Sequence, residues 1–308
     1  MTTKSGKRVF DDFCVTCEFT ATRQCASNMV KTQEQVNAEW DKAAADWDKN
    51  DGGPRVYAAS IFPLIWSATQ TDKKKAATLK VLDFGCGTGI LTESLQKVCG
   101  SVVSVDAAGK MVDQVKGKIQ KHEWDNVTAI NAILSSEYLN TVQKSDDSAL
   151  KSALEPESFD LIICSSVLTF IPNVEKTVSV LRALLKPGTG MLFHSDWLAE
   201  EKTAEADRNA ANKDGDAANK DGDSHASETH AAKDGESSDG APADLEREST
   251  SHEDASKPSK GDPVGTFSEA SARQMYKDCG LVAHATKPIT MEMMGHKMGV
   301  LIGVARRP

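Results

Sequence analysis

Val81-Leu82-Asp83-Phe84-Gly85-Cys86-Gly87-Thr88-Gly89 sets the apolar end of a strand against three glycines at alternate positions, and Ile90 then opens a helical stretch. Glycine at such a turn leaves the backbone bare, so a ligand can lie directly against it at the top of the strand. Asp83 stands two residues before the first glycine. A carboxylate there favours a ligand with a cationic head.

A dinucleotide site uses the spacing Gly-x-Gly-x-x-Gly, with the pyrophosphate on the helix N-terminus. Counted from Gly85, the third glycine of that pattern falls on Ile90. Asp83 would also oppose a pyrophosphate. S-adenosylmethionine (SAM) suits the turn better, because it has no phosphate and carries both an ammonium and a sulfonium. The segment resembles motif I of the class I SAM-dependent methyltransferases. The resemblance runs with gaps from about Trp40 to Arg307.

Gly100 to Asp106 reads as a second strand ending in an acid, 17 residues after Gly89. A carboxylate there can accept from both ribose hydroxyls, and it can equally cap the helix expected over Ala107–Lys121. The resemblance places Ala107 and Met111 beside the adenine, with Ala108 where the family often has Ser. Val127–Ile130 is a third strand, and the resemblance puts Asn131 and Ala132 against the adenine edge. Phe159–Cys164 is apolar throughout, as in a strand buried on both faces. Ser165 and Ser166 then stand over the switch point. An amphipathic helix over Thr177–Leu185, the turn Lys186-Pro187-Gly188-Thr189-Gly190 and a fifth strand over Met191–His194 complete the parallel part. The closing unit is a helix from Ser268 to about Cys279 and two strands, Leu281 to about Met293 and Lys297–Ala305, with Gly295-His296 at the bend. The implied fold is α/β and Rossmann-like, with a seven-stranded, mostly parallel sheet and a C-terminal antiparallel hairpin.

Residues 79–198 and 264–308 form the expected SAM-binding domain, with residues 32–78 a helical cap above it. Trp40, Ala43, Ala44 and Trp47 recur at helical spacing, and Tyr57, Ile61 and Ile65 continue an apolar face. Residues 1–31 read as a flexible segment. Between Ala199 and Pro263 the only large apolar residue is Leu245, and Asn-Lys-Asp-Gly runs recur at Asn212 and Asn219. Too little carbon is available there to offset ordering entropy, which predicts a disordered insert. Glu200–Asp262 holds 18 acids against 8 Lys and Arg, while the whole chain of 308 residues is −9, so the folded body is near neutral. A nucleic-acid partner is therefore not expected.

Cys14, Cys17 and Cys25 fall one ligand short of a structural zinc site, and the Asp-Gly runs lack the ligand order of a calcium loop, so no metal is expected. No apolar stretch suits a membrane span, and the dispersed cysteines point to a cytoplasmic protein, with an organelle transit peptide over the first thirty residues (Lys4, Lys7, Arg8 and Arg23 against Asp11, Asp12 and Glu18) as the alternative.

Methyl transfer from SAM needs alignment and desolvation first, and a base only when the acceptor must lose a proton. His194, at the end of the fifth strand, is the candidate catalytic base, with Asp196 and His296 behind it. The absence of a clear acid–base pair admits a thioether or an ionised acceptor. Cys164-Ser165-Ser166-Val167 lacks the Asn/Asp-Pro-Pro-aromatic run of enzymes that methylate adenine or glutamine amide nitrogen. The compact plan resembles the small-molecule, type 11-like branch. A SAM-binding partner subunit without catalysis is the alternative, and aminopropyl transfer, or methylation of protein or RNA, is more remote.

Overall fold

The computed structural model describes residues 32–49, 53–198, 266–293 and 296–308. The N-terminal segment with its cysteines, the acidic insert and its repeats, and the side chain of His296 lie outside the described residues.

Helix α1 (Gln33–Trp47) opens on a capping box, in which Thr32 N–H donates to Gln35 Oε1 at 2.9 Å and Gln35 N–H returns to Thr32 Oγ1. Helix α2 (Pro54–Thr69) starts with proline in its first turn, where the ring costs no hydrogen bond, and stops at Gln70 in a left-handed conformation. The Lys73–Ala76 turn, α3, leads into β1 (Lys80–Phe84). Five strands run parallel: β1, β2 (Ser101–Asp106), β3 (Val127–Asn131), β4 (Leu161–Ser165) and, beside β4, β5 (Met191–Trp197). Helix α4 (Ile90–Leu95) follows the glycine turn and α5 (Gly109–His122) follows β2. Two short helices, α6 (Ser136–Lys144) and α7 (Ser148–Ala153), fill the β3–β4 connection. After β4 comes a single 3₁₀ turn, Leu168–Phe170, then α8 (Val174–Leu184) and β5 (Met191–Trp197). Helix α9 (Glu269–Asp278), β6 (Val282–Met293) and β7 (His296–Arg306) close the domain.

The sheet has seven strands in the order β3-β2-β1-β4-β5-β7-β6. From β1 the chain moves outward to β3, then returns to β4 on the other side of β1. That reversal opens a crevice at the carboxyl ends of β1 and β4. Val81 and Leu82 are both fully buried but belong to different cores, since successive side chains leave a strand on opposite faces. One core gathers Leu82, Val103 and Ile162 with α8 and α9; the other gathers Val81, Val102 and Ile163 with Ile61 and Ile65 of α2. Helix α2 is thus mainly a sheet-covering helix, because its Tyr57, Ile61, Ile65 stripe is apolar enough to bury. Helix α1 lies over α5 instead, through Ala43 and Ala44 against Ala108 and Met111.

Candidate active site

A cavity of about 270 Å³ opens at the switch point, between the glycine turn, the start of α5, the Ser165–Ile171 loop and the two N-terminal helices. Asp83, Gly85, Gly87, Asp106, Ala107, Met111, Ala132 and Ser165 all line it. Gly89, Asn131 and His194, also expected there, stand outside its wall.

The three glycines do three different jobs. Gly85 has φ +71°, and a Cβ there would sit 2.3 Å from Val167 Cγ2, so its bareness admits the β4 loop rather than a ligand. Gly89 has φ +81° and caps α4. Gly87, at φ +53°, has nothing within 4 Å of the missing Cβ; its bare face is the one turned to open space.

Asp83 is almost wholly buried. Thr92, one turn into α4, donates to its Oδ2 at 2.6 Å and contacts Ser104 Oγ at 2.9 Å. Among the described residues no Lys or Arg pairs with it. Burial pushes its pKa from 3.8 up to about 6, against the easing hydrogen bond of Thr92, and the nearby charge of Asp106 adds to the rise. Asp106 is raised too, first by burial, while backbone N–H groups counter the rise. Those donors are Gly87 N to Oδ2 and Ala108 N to Oδ1, each at 2.8 Å. Asp106 therefore holds the glycine turn and the α5 start together, with lone pairs left over for a ligand.

Asn131 Nδ2 donates to the carbonyls of Asp106 and Ala107 at 3.0 and 3.1 Å. Its amide nitrogen thus braces the turn from behind. His194, expected as the catalytic base, lies in the core. It is fully buried, its Nδ1 lies 3.3 Å from Asp196 Oδ2, and its ring packs on Phe267 and Tyr276. The fifth strand runs three residues past His194, so this position lies within the sheet, with Gly303 of β7 alongside, rather than at its open end. Asp196 is buried on the same face, where Thr169 N–H and hydroxyl reach its Oδ1.

Sequence reasoning missed what seals the cavity. Asp48, at the end of α1, accepts from the Thr88 hydroxyl and lies 2.6 Å from Lys118 Nζ; Lys118 also donates to Thr88 O at 2.9 Å. Asp41 of α1 accepts from Lys110 N at 2.8 Å, supplying the cap that α5 lacks locally. Tyr57 donates toward Ser195 O and Oγ at 3.1 and 3.0 Å, and burial pushes its pKa up to about 12. These partners lie 30 to 138 residues apart, and no local pattern marks them. The Asp41–Asp48 spacing, two turns apart on one helix, was the one visible signal.

The model of the methyltransferase domain matches residues 42–230, more than half of the chain. The chain belongs to the methyltransferase domain family. Its fold is that of the class I SAM-dependent members. It is 31% identical over 153 residues to the ubiquinone biosynthesis O-methyltransferase of Actinobacillus pleuropneumoniae serotype 7, covering 50% of this chain and 59% of that protein. It is 34% identical over 168 residues to the enzyme of the same name from Histophilus somni, covering 54% and 65%. The chain thus spans about six tenths of the length of these curated relatives. Among solved structures, that of the (4+2)-cyclase SpnF shares the fold, with TM-score 0.57, 12% identity, and coverage of 91% of this chain and 98% of that one.

The residues of this family member fit SAM. Two buried acids, both pushed toward the protonated form, share one cavity with a bare glycine face. A cation relieves that strain and an anion worsens it.

Proposed function

We propose that this chain transfers a methyl group from SAM to a small-molecule acceptor. The reading is carried by one observation: a single cavity joins the Asp83–Gly87–Asp106 surface to an uncharged, aromatic wall. When bound, SAM supplies a methyl group on a sulfonium, already activated for direct displacement.

Asp83 would hold the ammonium of the methionine end, and Gly87 would let the backbone approach it. Asp106 would take the ribose hydroxyls with the lone pairs its backbone partners leave free. Met111 and Ala132 would flank the adenine. The Asp48–Thr88–Lys118 contact keeps α1 down on the turn, so Trp40 and Trp47 exclude water from the reacting centre. Ser165 hydrogen-bonds Ser195 at 3.0 Å, which fixes the end of β4 beside the acceptor space.

With His194 sealed in the core, the described lining offers no histidine base. That favours an acceptor that loses no proton, such as a thioether. A cytoplasmic setting agrees with the four described cysteines, all free and buried. Among the described residues no helix is long and apolar enough to cross a membrane.

The test is incubation of purified protein with SAM and fractionated metabolites, read out as S-adenosylhomocysteine (SAH). Acceptor-dependent SAH release is expected. SAH binding without release in any fraction would favour the alternative, a partner subunit that binds SAM but does not turn it over.

A further inference from the structure

The described side chains around the cavity divide sharply by charge. Asp83 and Asp106 are the only charged ones, and both belong to the cofactor half. The rest of the lining is mainly aromatic and aliphatic, with the uncharged polar Gln33, Asn37 and Thr177 among it. Trp40 meets Trp47 edge-on at 5.1 Å and Phe170 at 5.3 Å, and Tyr57 meets Trp197 at 5.9 Å. No Lys, Arg or His stands among the described lining residues to neutralise an anion.

We propose that the acceptor is an uncharged, ring-bearing, largely apolar molecule, gripped by the Trp40–Phe170 wall. The proposal rests on the methyl-transfer reading and names the substrate class of that same site. Three physical points support it. A carboxylate or phosphate on the acceptor would lose its water without gaining a cation, and it would face the two acids. An ammonium would also lose its water without a partner, because the bound cofactor already occupies both acids, and it has no lone pair to offer a methyl group. A neutral ring gains both by leaving water and by stacking on aromatic side chains. The wall is also built across the chain: Trp40 comes from α1 and Phe170 from the β4–α8 loop, so it forms only when α1 is seated.

The experiment is calorimetric titration of the full chain, saturated with SAH, with four probes of one ring size: 2-naphthol, 2-naphthoate, 2-naphthyl phosphate and naphthylmethylammonium. The expected result is that 2-naphthol binds at least tenfold more tightly than either anion and than the ammonium. Trp40→Ala and Phe170→Ala should each weaken 2-naphthol at least fivefold, with SAH affinity within twofold. Ile171→Lys, which puts a cation in the wall, should reverse the order and favour 2-naphthyl phosphate. Equal or tighter binding of the anions by the unmodified protein would overturn the proposal, as would no binding of 2-naphthol to the SAH complex. SAH is titrated first. If SAH fails to bind, the cofactor reading falls by itself, and the same four probes on the protein alone still decide the charge preference of the wall.

Discussion

Cofactor affinity should fall as pH drops through about 6, because Asp83 must be ionised to hold a cation. Buried against Thr92 and near Asp106, its carboxyl titrates at about 6 rather than 3.8. If the bound cation restores an ordinary pKa near 4, protonation and binding are coupled by about 2 pK units, or roughly 3 kcal/mol. Binding should then be about eightfold weaker at pH 5 than at pH 6.5, a window in which the ligand's own ammonium stays charged. Calorimetry with SAH in buffers of different ionisation heat would measure both the affinity and the protons released on binding. Asp83→Asn should bind weakly at every pH, with no such slope. Stability has the opposite sign. A folded pKa above the unfolded value means that Asp83 contributes stability below about pH 4 that is lost as pH rises through 6. Asp83→Asn should therefore stabilise the ligand-free protein at pH 7.5 by up to about 3 kcal/mol, read as a higher Tm. Equal SAH affinity at pH 5 and 6.5, with no proton release, would refute the reasoning.

Three further outcomes test the geometry. Asp48→Ala removes the Thr88 hydrogen bond and the Lys118 ion pair together; at partial exposure about 2 kcal/mol is expected, seen as roughly thirtyfold faster SAH release in stopped flow, and Lys118→Met should have a similar effect that does not add to it. Gly85→Ala should cost about 3 kcal/mol or more in denaturant unfolding, from positive φ plus overlap with Val167, whereas Gly87→Ala should cost about 1 kcal/mol of stability yet abolish most SAH binding. His194→Ala should destabilise by about 3 kcal/mol, because buried Asp196 loses its partner, while SAH affinity at 15 °C stays within twofold; a selective loss of turnover without loss of stability would return His194 to the chemistry.

The sheet was legible in the chain because its signals are local. Apolar runs of five or six residues, an acid at the end of β1 and of β2, and Lys-Pro-Gly before β5 each report a strand or turn from neighbouring residues alone. The meeting of Asp83, Gly87 and Asp106 at one cavity followed for the same reason, since they stand at fixed steps from a strand end. Strand ends were less legible. The apolar run Met191–Phe193 ends before His194, but pairing with β7 carries the strand to Trp197 and sinks the imidazole into the core.

Which glycine faces open space, which asparagine braces a turn and what holds the roof down depended on partners distant in sequence. Val167 fills the space over Gly85, Asp106 and Ala107 occupy Asn131, and Asp48 reaches Thr88 and Lys118. The order of residues determined that an acid and bare backbone would meet at a strand end. Only the folded chain decided the rest, because burial and contact are properties of what packs beside a residue, not of its neighbours along the chain.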